Sequence, residues 1–232
     1  AVLASTLPAV AAEKDTRCFE LRTYYAAPGK LDALHARFRD HTCKLFEKHG
    51  MRNIGYWVPL ENPDRKLLYL LAYPSREARE RSWKAFMADP DWQRAYKASE
   101  VDGKLVAKAE AQFLTATDYS PAIKPTAPGT PRVFELRTYR ASAGNLDALN
   151  ARFRDHTLKL FTRHGILHVG YWTLASGQPG ADRTLQYILA HPSQAAASEA
   201  FKAFGADPDW IAAKKASETK AGGSLTESGP TG

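Results

Sequence analysis

The sequence predicts an α+β chain in which two βαββαβ units follow one another, and three observations carry that prediction. The hexapeptide Phe19-Glu20-Leu21-Arg22-Thr23-Tyr24 returns as Phe134-Glu135-Leu136-Arg137-Thr138-Tyr139. Between Arg17 and Val58, 28 of 42 positions are identical to those between Arg132 and Thr173. Within each copy, a period of two and a period near 3.6 alternate in the order strand, helix, strand, strand, helix, strand. The copies keep an offset of 115 through Trp172 and 118 afterwards, because three extra residues lengthen the loop Ser176 to Asp182.

Each element has a local cause. Phe19 to Tyr24 alternates Phe, Leu and Thr with Glu, Arg and Tyr, the pattern of a strand whose two faces meet different surroundings. A turn at Pro28-Gly29 leads into a helix over residues 30–49, on which Leu31, Leu34, Phe38, Thr42 and Leu45 recur every three or four positions. Gly50 suits a left-handed C-cap. Residues 53–60, containing Gly55-Tyr56-Trp57, read as a second strand and residues 66–73 as a third, with the turn signal Asn62-Pro63-Asp64 between them. Ser75 is an N-cap for a helix over residues 76–88, and Asp89 with Pro90 restarts a short helix that ends near Asp102-Gly103. A last alternating segment, residues 108–115, closes the unit. The order is that of the ferredoxin-like split βαβ arrangement.

Composition bounds the function classes. The chain has 232 residues, 44% of them hydrophobic, and a formal net charge of +7. The excess is even: residues 17–121 carry 18 basic and 14 acidic side chains, residues 132–232 carry 12 and 9. With no basic run and no reading motif, the charge is a solvated surface and no nucleic-acid partner is expected. Cys18 and Cys43 are replaced by Val133 and Leu158 in the second copy, so they act as small apolar side chains. No segment has the length and apolarity of a transmembrane helix.

The chain divides into residues 1–16, 17–121, 122–131 and 132–232. Ala1 to Ala12 is uncharged, small and apolar, ends in Ala9-Val10-Ala11, and reads as the remnant of a signal peptide, with a disordered leader as the alternative. The expected location is therefore outside the cytoplasm, periplasmic or extracellular. Pro121, Pro125, Pro128 and Pro131 predict a semi-rigid linker. The second copy runs into a polar Gly-Pro tail where the first has a strand, so the last strand of the second unit is expected to be missing from this sequence.

Several motifs occur in order: Phe-Glu-Leu-Arg-Thr-Tyr, Ala36 to Thr42 (ARFRDHT), His49-Gly50 with Gly55-Tyr56-Trp57, Asp89-Pro90-Asp91-Trp92, and Thr117-Asp118-Tyr119-Ser120-Pro121. Together they resemble the NIPSNAP family over both copies, the second copy lacking the final strand and its TDYSP end. The resemblance implies a dimeric α+β barrel, here formed within one chain by pairing the two units sheet to sheet. The wider superfamily includes cofactor-independent monooxygenases and haem enzymes, and some NIPSNAP relatives are described through protein interactions. No catalytic residue set comes with the resemblance.

Sheets with helices on one face need cover on the other. If Phe19, Leu21 and Thr23 pack under the helices, Glu20, Arg22 and Tyr24 point toward the other sheet. The candidate pocket is then Glu20, Arg22, Tyr24, Tyr56 and Trp57 with Glu135, Arg137, Tyr139, Tyr171 and Trp172. Its arginines could hold an anion or carbonyl and its glutamates act as bases; alternatively the pairs form a network that seals the sheets together. His41 and His156 are candidate acid/base residues. His49 and His164 follow eight positions later, roughly 12 Å along a helix, too far to share a metal with them. No metal site and no cofactor is expected. These features favour a small-molecule or protein-binding module with a polar cavity between the sheets. The alternative is a cofactor-independent monooxygenase-like enzyme acting on a small hydrophobic substrate there.

Overall fold

The structure is a computed structural model and describes residues 14–126 and 132–227. In the first copy, β1 (Cys18–Ala26) leads to α1 (Leu31–Arg37), a π-helical turn (Phe38–Thr42) and α2 (Cys43–Lys48). Next come β2 (Arg52–Trp57), β3 (Lys66–Tyr73), α3 (Arg76–Ala88), α4 (Pro90–Ser99) and β4 (Val106–Ala116). The second copy has β5 (Val133–Arg140), α5 (Leu146–Arg152), a π-helical turn (Phe153–Thr157) and α6 (Leu158–Arg163). It continues through β6 (Leu167–Leu174), β7 (Thr184–His191), α7 (Gln194–Ala206) and α8 (Pro208–Ala221).

The expected caps form. Ser75 and Ser193 accept from the backbone N–H three residues on, and Asp89 and Asp207 do so two residues on, ahead of the prolines that begin α4 and α8. The helix expected over residues 30–49 is interrupted, however. Thr42 donates its hydroxyl to the carbonyl of Arg37, and Thr157 does the same to Arg152. Each buried threonine hydroxyl thus finds its acceptor in the backbone of the widened turn.

All seven strands belong to one antiparallel sheet in the order β2-β3-β1-β4-β6-β7-β5. The two units join edge to edge, Leu114, Thr115 and Ala116 of β4 pairing with Leu174, Thr173 and Trp172 of β6. The bare faces then close on one another. Phe19, Leu21, Ile54, Leu70 and Leu114 form one buried cluster with Trp172, Leu174 and Ile188 of the other copy. Helices cover the opposite faces, over separate clusters centred on Tyr69 and Phe46 in one copy and Tyr187 and Phe161 in the other. The result is an intrachain α+β barrel, open between β2 and β5.

Gly55 and Gly170 show why both copies read Gly-Tyr-Trp. Each sits at a register shift, and a Cβ there would lie 2.4 Å from the Trp57 ring and 2.5 Å from the Trp172 ring. Only glycine lets the indole fold back across its own strand.

Two expectations about connections change. The second strand stops at Trp57 rather than residue 60. The described part of the linker is packed: Ile123 is buried in the shared cluster and the Thr126 amide donates to the Ile54 carbonyl at 2.7 Å. Residues 1–13, with the leader, and residues 127–131 and 228–232 lie outside the described residues.

Candidate functional site

The alternation of β1 is real, but its faces are the reverse of the expected ones. Phe19 and Leu21 lie in the cluster between the sheets, whereas Glu20, Arg22 and Tyr24 point into the helix layer. The same holds for Glu135, Arg137 and Tyr139 in β5. Tyr56 and Tyr171 also stack under helices, against Tyr69 and Tyr187. The physical reason is satisfaction of charge. The inter-sheet face is mostly apolar, its buried Gln186 already bonded to Gln112 and Thr138, while the first copy's helix layer supplies cationic donors.

Those donors form a cage. Glu20 is fully buried and accepts from Arg79 at 2.7 and 3.0 Å, from Arg22 at 2.6 Å and from the Tyr73 hydroxyl at 2.9 Å. The Trp83 indole N–H donates to Tyr73 at 2.8 Å, and Arg22 lies over the Trp83 ring. Burial alone would raise the carboxyl's pKa; the Arg79 hydrogen bonds and the charges of Arg22 and Arg79 outweigh it and hold Glu20 below its ordinary value of 4.5. This carboxylate is locked, with every oxygen occupied by a structural donor.

The second copy keeps Glu135 and Arg137 but not the cage. Arg79, Tyr73 and Trp83 become Ala197, His191 and Phe201. The Glu135 side chain is 36% exposed, 3.4 Å from both Arg137 and His191. Burial pushes the His191 imidazole below its ordinary value, against the nearby Glu135 charge. Nothing in the sequence of the FELRTY strand distinguishes the two glutamates; the signal lay at Arg79 and Ala197, outside the motif.

The histidines separate as their periodicity suggested. His49 meets Asp89 at 2.6 Å and His164 meets Asp207 at 2.8 Å, tying the end of α2 or α6 to the following helix cap. His41 and His156 are exposed in the π-turns. Among the described residues no group of histidine, cysteine or carboxylate side chains is placed to hold a metal ion. Cys18 and Cys43 are free and partly buried, and burial raises both thiols.

The open seam between β2 and β5 forms a concave feature between the two units. A cavity of about 760 Å³ is walled by Leu21, Trp57, Leu68, Phe134, Leu136 and Ile188. Polar groups, including Glu61, Asp64, Lys66, Arg132 and Glu135, sit at its edges, so the expectation of a polar cavity is corrected to an apolar one with a charged rim. Of the candidate pocket residues, Trp57, Tyr56 and Glu135 line this seam. Trp172 occupies the matching place on the closed side.

That match is geometric. Trp57 packs on Phe134 at 5.9 Å across the open seam, and Trp172 packs on Phe19 at 5.8 Å across the closed one. On the closed side β4 fills the space. On the open side the described residues include the start of a counterpart of β4: Thr226 bridges to Ala141, as Val106 pairs with Ala26, and Ser142 donates to Leu225 as Ala27 does to Leu105.

The two halves, their motifs and their order are matched by the NIPSNAP family model over residues 19–121 and 134–226. The chain belongs to the NIPSNAP family. No curated protein matches it. Single NIPSNAP units in solved structures resemble it over about half its length. One from Agrobacterium tumefaciens, of unknown function, is 23% identical with a TM-score of 0.42, covering 47% of this chain and 95% of its own. One from Burkholderia xenovorans is 21% identical with a TM-score of 0.42, covering 50% and 97%. A Fusobacterium nucleatum protein provisionally assigned as a monooxygenase is 8% identical but has a TM-score of 0.59 and covers 93% of this chain and 89% of its own. The last comparison shows a shared fold over both NIPSNAP units together.

Proposed function

We propose that this NIPSNAP protein is a binding module whose site is the seam between β2 and β5, and that an extended segment, from beyond the given sequence or from a partner, completes the seam by strand addition. The observation that carries this is the filled counterpart: β4 occupies the equivalent space on the other side of the barrel, pairing with β1 along its length and with β6 at its end. An added strand would satisfy the exposed edges of β2 and β5 and cover Val58 and Leu60, which are 45% and 71% exposed. Main-chain pairing supplies the affinity of such sites and alternate side chains the selectivity.

A second reading has support of its own. A cavity of about 760 Å³ with apolar walls also suits a small hydrophobic molecule. The monooxygenase-like alternative rests on this space and on the fold shared with the Fusobacterium protein.

A synthetic peptide with the sequence of Val106–Ala116 separates the readings. Strand addition predicts slowed amide hydrogen exchange at Arg52–Trp57 and Val133–Arg140 on titration. If these amides exchange unchanged while a fluorescent fatty acid binds with quenching of tryptophan emission, the small-molecule reading replaces it. We also propose export, on the Ala9-Val10-Ala11 pattern. Fractionation of the product of the full gene, with N-terminal sequencing of the mature protein, checks this.

A further inference from the structure

Helices α5 and α8 of the second copy leave a groove of about 410 Å³ between them, which shares no lining residue with the seam. Its walls are small because both helices place alanines three apart, Ala148 and Ala151 on α5, Ala213 and Ala216 on α8. At that spacing side chains share one face of a helix. Small walls alone bind nothing. The group that lines the groove at depth is Arg152, whose side chain is only 6% exposed.

The first copy shows what such an arginine requires. Its counterpart Arg37 is as deeply buried, but Nη1 donates to Glu100 Oε1 at 3.1 Å and to Ser99 Oγ at 3.2 Å. The Leu105 amide holds Glu100 in place by donating to the same oxygen at 3.3 Å. The Trp92 and Tyr96 rings lie 5.4 and 5.2 Å from the guanidinium. In the second copy these restraints are looser. Arg152 Nη1 reaches Ser217 Oγ at 3.4 Å and Glu218 Oε1 at 3.5 Å, the outer limit of a hydrogen bond. Lys214 replaces Tyr96, so of the two rings only the counterpart of Trp92, Trp210, lies against the guanidinium. Nε has no partner among the described residues in either copy, so it is Nη1 that distinguishes them. Burial lowers the pKa of Arg152 below its ordinary value, against the charge of Glu218. A buried guanidinium with donors unmet is costly, and an anion that reaches it recovers part of that cost.

The rim adds a second cation. α8 runs to Ala221, whereas α4 stops at Ser99, and the longer helix carries Lys220 to the groove's edge. The 118-residue offset puts Asp102 at this position in the first copy, so the sign of the charge is reversed. Asp155 at the rim and Glu218 beside Arg152 disfavour a ligand with more than one negative charge.

We propose that this groove binds a small aliphatic monocarboxylic acid, its carboxylate on Arg152 and its chain between the alanines of α5 and α8. A planar carboxylate matches the guanidinium fork, and methylene groups suit alanine walls. Lys220 closes over the charged end from the rim.

Hexanoate is the probe, titrated into the full 232-residue chain with isotopically labelled alanine methyls and followed by NMR. Saturable shifts are expected at Ala148, Ala151, Ala213 and Ala216, and not at their first-copy counterparts Ala33, Ala36, Ala95 and Ala98. Neutral hexanamide should bind about tenfold more weakly. Arg152→Lys, which keeps the buried charge but loses the fork, should weaken hexanoate by about tenfold as well. Ala216→Leu fills the groove without touching an ion pair, so it should abolish the shifts at the other three alanines while the urea midpoint stays near that of the parent. Equal affinity for hexanoate and hexanamide overturns the role of Arg152. Shifts of equal size in both copies, shifts that persist in Ala216→Leu, or no saturation with hexanoate overturn the site. Inorganic phosphate competing at equal concentration overturns the restriction to a single charge.

Discussion

The two copies of one sequence motif, Phe-Glu-Leu-Arg-Thr-Tyr, end in different electrostatic states. Glu20 is sealed among Arg22, Arg79, Tyr73 and Trp83, while Glu135 is partly open to water beside Arg137 and His191. The strands themselves are alike; the helix packed above each decides. A duplicated motif therefore does not duplicate a site unless its partners on another element are duplicated with it. The pair of π-turns teaches the same lesson in reverse. There Phe, Arg and Tyr are kept in both copies while Asn150 is His35 in the first, and the segment after β4 sits on the second.

The largest expected contrast comes from cutting the cage. Glu20→Gln leaves two guanidinium groups facing a neutral amide in a buried site and should cost about 3–5 kcal/mol in urea unfolding. Glu135→Gln, at an exposed and looser pair, should cost no more than about 1 kcal/mol. Equal costs would break the comparison.

Acid titration sharpens it. Because the folded-state pKa of Glu20 is depressed, its contribution is fully present above its ordinary value of 4.5 and is lost as pH falls through the folded value. Urea midpoints measured from about pH 6 down to pH 3 should fall in the parent chain, and that part of the slope should disappear in Glu20→Gln. In Glu135→Gln the slope should be retained.

A somewhat smaller effect is expected where the segment after β4 meets the second copy, Tyr119 lying against Phe153 and Tyr171 and donating to Asn150 Oδ1. Tyr119→Ala empties the space over Phe153 and Tyr171 and should cost about 2–4 kcal/mol by the same measurement. Tyr119→Phe removes only the bond to Asn150 and should cost about 1 kcal/mol. Tyr56→Phe, in the first copy, also tests one hydroxyl, that bonded to Asn53 at 2.5 Å, and should fall in the same range of about 1 kcal/mol.

The smallest predicted difference is between the π-turns. Thr42→Val and Thr157→Val each delete one hydroxyl bond to a carbonyl and should each cost about 1 kcal/mol. A large disparity would mean that the segment after β4 docked on Phe153 and Arg154, and not the threonine, holds the π-turn of the second copy.

What could be read in the chain was everything local or repeated. The duplication, the element order, the caps at Ser75 and Asp89, and the family resemblance follow from residues close in sequence, where spacing alone dictates geometry. The strand's two-sidedness was legible too, but not which side faced the helices. Period two separates Glu20 from Leu21 without naming the layer each meets, and charge satisfaction depends on Arg79, 59 positions away. The π-turns were hidden because Thr42 fits an ordinary helical stripe equally well. The edge pairing of β4 with β6 and the apolar seam were also decided only in three dimensions. Each depends on two segments meeting that share no local pattern, and the energy of that meeting is written on both surfaces at once.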